Sequence, residues 1–114
     1  MVRLTNLLLA AALGGGVCLW AQAPKEDAAA IYKRQCAGCH GPDAKGQTAV
    51  GKNLKVPDLT SAAAQNLTDS QLFDDIAKGK GKMPAYENNL GHDRIQELVA
   101  YLRQFGKGPA GKKK

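Results

Sequence analysis

The sequence runs to 114 residues, enough for one domain, with 44% hydrophobic but only 5% aromatic residues and a formal charge of +6. That charge is uneven: residues 24–106 hold 11 Lys or Arg against 10 Asp or Glu, while Lys107, Lys112, Lys113 and Lys114 crowd the end. A nearly neutral body with no aromatic–basic interleaving excludes a nucleic-acid binder, and so short a chain builds only a modest core of its own.

At the N-terminus, Arg3 precedes an apolar run from Leu7 to Trp20. The run is shorter than the roughly 20 residues that span a bilayer but suits the central region of a signal peptide. Ala21-Gln22-Ala23 fits a small-x-small cleavage pattern, so residues 1–23 are expected to be an export signal. Pro24 is a poor residue after a scissile bond, which leaves the cut position open. An uncleaved leader would act as an anchor; otherwise no stable membrane span is expected. Val17 is larger than the residue that usually precedes a lipidated cysteine, which argues against lipidation of Cys18. Residues 24–106 are then the folded domain and 107–114 a basic tail with no apolar residue larger than Ala, expected to be disordered.

Asp27 to Gln35 reads as a short helix, acidic at its start and basic at its end as the macrodipole prefers, with Ala28 and Tyr32 on one face. That face leads into Cys36-Ala37-Gly38-Cys39-His40. C-x-x-C-H is the attachment signature of a c-type haem. On a helical turn residues three apart share a face, so Cys36 and Cys39 can both reach the edge of one porphyrin and form thioethers. His40 then offers an imidazole nitrogen to the iron. A thioredoxin-like pair would need a βαβ setting, and no convincing strand is visible. A structural zinc site would need four protein ligands, yet only His92 remains and no second cysteine pair exists. A large flat cofactor would also supply core volume that this chain lacks, so the apo form is expected to be poorly folded.

From Gly41 to Gln65 no period of 3.6 or 2 persists, and Gly41, Pro42, Gly46, Gly51 and Pro57 punctuate a loop. A loop that long in a compact domain needs a task, and wrapping a haem edge is one. Leu54, Val56 and Leu59 are the apolar residues expected against the ring; the alternative is that they cover neighbouring helices. Thr68 to Gln71 is a capping box opening a helix that carries Leu72, Phe73 and Ile76 and ends at Gly79. That cap accounts for Thr68 better than the Asn66-Leu67-Thr68 glycosylation sequon does.

Met83 follows, in the run Gly81-Lys82-Met83-Pro84-Ala85-Tyr86, and is the only methionine besides Met1. Pro84 restricts Met83 to extended backbone, so the residue sits in a stiff turn, whereas a core-filling methionine usually lies on a helical stripe. Its thioether is a soft, neutral ligand suited to low-spin haem iron. The last helix is the clearest periodic element: Ile95, Leu98, Val99, Leu102 and Phe105 form one stripe, Gly91 stands at its expected cap, and Gly106 stops it. His92 falls near its start and is expected to be exposed.

These anchors resemble the class I monohaem c-type cytochromes, especially small bacterial carriers and the cytochrome c domains of oxidases and dehydrogenases. The likeness runs from about Asp27 to Phe105 and rests on Tyr32, CAGCHG, KMPAY and the closing IQELVAYLRQF. It implies an all-α fold of three to four short helices and loops around one covalent haem c and its iron. It also implies that the first and last helices cross, near Ala28, Tyr32 and Tyr101. Iron held by His40 and Met83 has no open position, which leaves one-electron exchange and no catalysis. The expectation is a monomeric periplasmic carrier working between periplasmic or membrane-bound redox partners, with Lys78, Lys80 and Lys82 steering acidic ones. A fixed electron-transfer subunit of a larger oxidoreductase, and a haem sensor whose Met83 is displaced by a small ligand, are the alternatives. A thiol oxidoreductase using Cys36 and Cys39 is a further rival.

Overall fold

A computed structural model describes residues 14–16 and 26–107. The rest of the expected leader, with Cys18 and the cleavage motif, lies outside the described residues, as does the tail after Lys107. Asp27 caps the first helix, its Oδ1 accepting from the Ala30 amide at 2.7 Å. Helix α1 (Ala28–Ile31), a π-helical stretch (Tyr32–Cys36) and α2 (Ala37–His40) then follow without a break. The expected helix end at Gln35 is therefore passed, because nothing in CAGCH stops a helix before Gly41, which takes φ +82°.

The stretch expected to be loop carries two short helices, α3 (Ala49–Leu54) and α4 (Ala62–Gln65). Each is opened by a hydroxyl: Thr48 accepts from the Gly51 amide and Ser61 from the Ala64 amide. Helices of four to six residues are too short to show a 3.6 period, so only their caps mark them.

Helix α5 (Asp69–Lys78) begins at the capping box, with Gln71 N–H to Thr68 Oγ1 at 3.1 Å and Thr68 N–H to Gln71 Oε1 at 2.9 Å. Helix α6 (Glu87–Phe105) is interrupted by Gly91 at φ +74°, which separates its first turn from the long continuous part. Ile95, Leu98, Val99 and Leu102 are buried along α6 as their spacing predicts, and Ile31 from α1 meets them in the same core. Burying each of these side chains stabilises the fold by about 1.5–3 kcal/mol.

The two ends of the domain meet through aromatic rings. Tyr32 lies 5.4 Å from Tyr101 and 5.3 Å from Phe105, and Tyr101 meets Phe105 edge-on at 5.2 Å, centroid to centroid. On the far side Arg103 ties α6 to the α4–α5 connection, donating to the Gln65 and Leu67 carbonyls and to Asp69 Oδ1. Among the described residues there is no strand beyond one isolated bridge between Lys80 and Met83, and no helix is long and apolar enough to cross a membrane.

Candidate haem site

Cys36 closes the π-helical stretch, while Cys39 and His40 lie on α2. The wider turn is explicit in the backbone: the Ala37 amide donates to the Tyr32 carbonyl, five residues back. Helix ends leave carbonyls without helical partners, and here those of Cys39 and His40 find partners outside the helix. Gly46 N–H donates to the His40 carbonyl at 2.7 Å, and Thr48 Oγ1 donates to that of Cys39 at 2.9 Å. Buried Tyr32 donates its hydroxyl to the Gly41 carbonyl at 2.6 Å, clasping the residue after His40 back onto the helix. The backbone under the C-x-x-C-H run is thus held by three separate contacts.

Neither cysteine is in a disulfide, and both are half-buried. Burial, with Cys39 beside it, pushes the Cys36 thiol up to about 11. Redox-active C-x-x-C pairs work through a lowered thiol pKa, so this environment opposes the thiol oxidoreductase reading. Burial also holds the His40 imidazole below its ordinary value, which keeps it neutral near pH 7 with a lone pair to offer. His40 Nδ1 is buried and has no hydrogen-bond partner. No carbonyl of the 52–57 segment accepts from that nitrogen. The Val56 carbonyl instead lies against Gly46, where a Cβ would stand 2.8 Å from the oxygen.

Cys36, Cys39, His40 and Met83 all line one cavity of about 600 Å³. That volume is in the range of cofactor sites. Leu54, Val56 and Leu59 line it too, so the three residues expected against the ring share its wall, joined by Leu67 and Leu72. A recess of about 60 Å³ continues inward between Tyr32, Ile76, Leu98 and Leu102. A neutral buried imidazole with an unpartnered nitrogen, two cysteines free of any disulfide and a thioether around an apolar slot fit a covalently held haem.

Met83 sits in a tight turn closed by two backbone bonds, Lys80 N–H to the Met83 carbonyl at 3.2 Å and Met83 N–H to the Lys80 carbonyl at 2.9 Å. Gly79, at φ +78°, lets that turn approach: a Cβ there would lie 2.6 Å from the Met83 carbonyl oxygen. The lysines divide. Lys78 pairs with Asp74 at 3.0 Å and Lys80 with Asp75 at 3.3 Å, whereas Lys82 forms no ion pair among the described residues. Lys80 and Lys82 line the cavity, Lys78 does not, and Lys55, not singled out by its sequence context, lines it as well. His92 is exposed, with its ring 4.9 Å from Phe73, and takes no part in the cavity. Gln35 and Tyr86 line the cavity as well. Tyr86 Oη donates to the Gln35 carbonyl at 3.2 Å across 51 residues, a contact with no local signal because the acceptor is backbone.

A family model described as cytochrome c oxidase, cbb3-type, subunit III matches residues 23–102. The cbb3-type cytochrome c oxidase subunit CcoP of Azospirillum brasilense is 33% identical over 88 residues, covering 75% of this chain and 30% of that protein. The chain spans less than a third of the length of the cbb3-type relatives it matches. Cytochrome c6 of Leptolyngbya boryana is 34% identical over 79 residues, covering 67% of this chain and 89% of that protein. Among solved structures the c-type cytochrome KustC0563 superposes with a TM-score of 0.65 at 26% identity, over 70% of this chain and 98% of that one. The chain therefore belongs to the cbb3-type oxidase subunit III family, as a class I monohaem c-type cytochrome domain for electron transfer that carries a covalently bound haem c with its iron.

Proposed function

We propose that Cys36 and Cys39 carry the haem as thioethers, that His40 and Met83 are its axial ligands, and that the domain passes single electrons between periplasmic or membrane-bound redox partners as a monomeric carrier. The observation that carries this reading is the convergence of those four side chains on one apolar cavity. The haem, when bound, supplies a one-electron couple. The protein's part is to orient that group by two fixed sulfurs and to present an imidazole and a thioether in both oxidation states. Its apolar wall of Leu54, Val56, Leu59, Leu67 and Leu72 keeps water from the ring. With His40 and Met83 both holding the iron, no position would remain for a substrate, so the role would be transfer and not catalysis.

The leader motif of residues 1–23 supports export to the periplasm. Acidic partners are steered chiefly by Lys82 and Lys55 at the cavity, since Lys78 and Lys80 are already paired with carboxylates. A second reading, a fixed electron-transfer subunit of a larger oxidoreductase, is favoured by the match to the oxidase subunit family. The coverage of 89% of a cytochrome c6 favours the free carrier.

The test is an absorption spectrum of the exported, haem-loaded protein in both oxidation states, repeated with Met83→Ala. Covalent low-spin haem with a weak long-wavelength sulfur-to-iron band that disappears on substitution is the expected result. Carbon monoxide binding readily to the unaltered ferrous protein would instead favour a displaceable ligand and a sensing role.

A further inference from the structure

The turn that carries Met83 is held from two sides, and the two holds are unequal. Toward α5 it is fastened several times. The Tyr86 amide donates to the Ile76 carbonyl at 3.0 Å, Lys80 pairs with Asp75, and Gly79 admits the Met83 carbonyl into close contact. Across the cavity, toward the segment bearing Cys36, Cys39 and His40, a single hydrogen bond joins residues 79–86 to residues 26–41 among the described residues. It is the one from Tyr86 Oη to the Gln35 carbonyl. Its acceptor is the residue before Cys36, and Tyr86 itself lines the cavity beside both cysteines. Pro84 has a locked φ, so the three-residue step from Met83 to Tyr86 is stiff, and what fixes the tyrosine also fixes the methionine.

The geometry points to Tyr86 as the positioning residue that keeps the Met83 turn closed across the haem cavity, through its hydroxyl bond to the Gln35 carbonyl. This rests on the reading that Met83 is an axial ligand. The consequence concerns ligand exchange: an external nitrogen ligand must displace the thioether, and the turn must swing away from the Cys36 side to allow it. While the phenol is bonded to Gln35, that motion breaks a hydrogen bond. Without the hydroxyl it does not, and the open form gains by the contribution of one partly buried bond, roughly five- to tenfold in population.

The experiment titrates imidazole into the ferric holoprotein and follows loss of the sulfur-to-iron band, in wild type, Tyr86→Phe and Asp27→Ala. Phenylalanine keeps the ring and removes only the donor. Asp27→Ala removes a helix cap outside both the turn and the cavity lining and reports what general destabilisation does. The expected result is imidazole binding roughly five- to tenfold tighter in Tyr86→Phe, with Asp27→Ala at the wild-type value. Equal imidazole affinity in wild type and Tyr86→Phe, with the band present in both, would overturn the role of Tyr86 and leave Met83 ligation standing. An equal rise in Asp27→Ala would overturn it as well. A wild-type spectrum with no such band would remove Met83 ligation, and this inference with it.

Discussion

Gly51 lies against the carbonyl of Cys39. A Cβ on Gly51 would stand 2.4 Å from that oxygen and 2.5 Å from the carbonyl oxygen of Gly46. Helix α3 therefore rests its bare backbone on the end of α2, where Thr48 reaches back to the same Cys39 carbonyl. Inside a helix a glycine costs about 1 kcal/mol relative to alanine. Here the close approach outweighs that cost, because the obstructing atoms are backbone and cannot rotate away.

Gly51→Ala should consequently destabilise the holoprotein by about 1–3 kcal/mol, the range for overpacking, although helix propensity alone predicts a gain of about 1 kcal/mol. Denaturant unfolding of the two proteins decides between them. A higher midpoint for the alanine variant would show that α3 does not press on Cys39.

Acid sensitivity should depend in part on Asp58. The Thr60 hydroxyl and amide both donate to Asp58 Oδ1, at 2.6 and 2.8 Å, and hold its carboxyl below the usual carboxylate range. In the unfolded chain the same group takes up its proton near pH 4. The stabilisation is thus present above about pH 4 and is lost as pH falls through the lower native value. Thermal midpoints measured from about pH 5 to pH 3 should fall less steeply for Asp58→Asn than for wild type. Parallel curves would mean that the turn gains nothing from the ionised carboxylate.

The division among the lysines can be read kinetically. Lys55→Gln with Lys82→Gln should slow electron transfer to an acidic redox protein roughly tenfold at low ionic strength and flatten its salt dependence. Asp74→Asn with Lys78→Gln removes a paired couple without changing net charge and should leave both quantities near wild type. If the second pair slowed transfer as much as the first, docking would have to be moved toward the end of α5.

What could be read along the chain was whatever has a local cause. The spacing of Cys36, Cys39 and His40 follows from one helical turn, the Thr68–Gln71 box from reciprocal capping, and the stripe from Ile95 to Leu102 from the 3.6 period. Met83 stood out because Pro84 beside it forbids the helical setting of an ordinary core methionine. Each of these is a relation among residues a few positions apart, and each appears in the fold where expected. The 41–65 region was read less well, since helices of one or two turns carry too few residues to display a period.

The amino-acid sequence by itself thus determined the haem motif, the methionine turn, the capped helix and the amphipathic last helix, all set by short-range geometry and hydrophobic spacing. Only the tertiary structure decided which surfaces meet: Gly51 on Cys39, Tyr86 on Gln35, Arg103 on the backbone of Gln65 and Leu67, and Asp75 on Lys80. The reason is physical. Most of these contacts join residues far apart in sequence, and several are made to backbone carbonyls, which every residue possesses and which therefore leave no mark in the order of side chains.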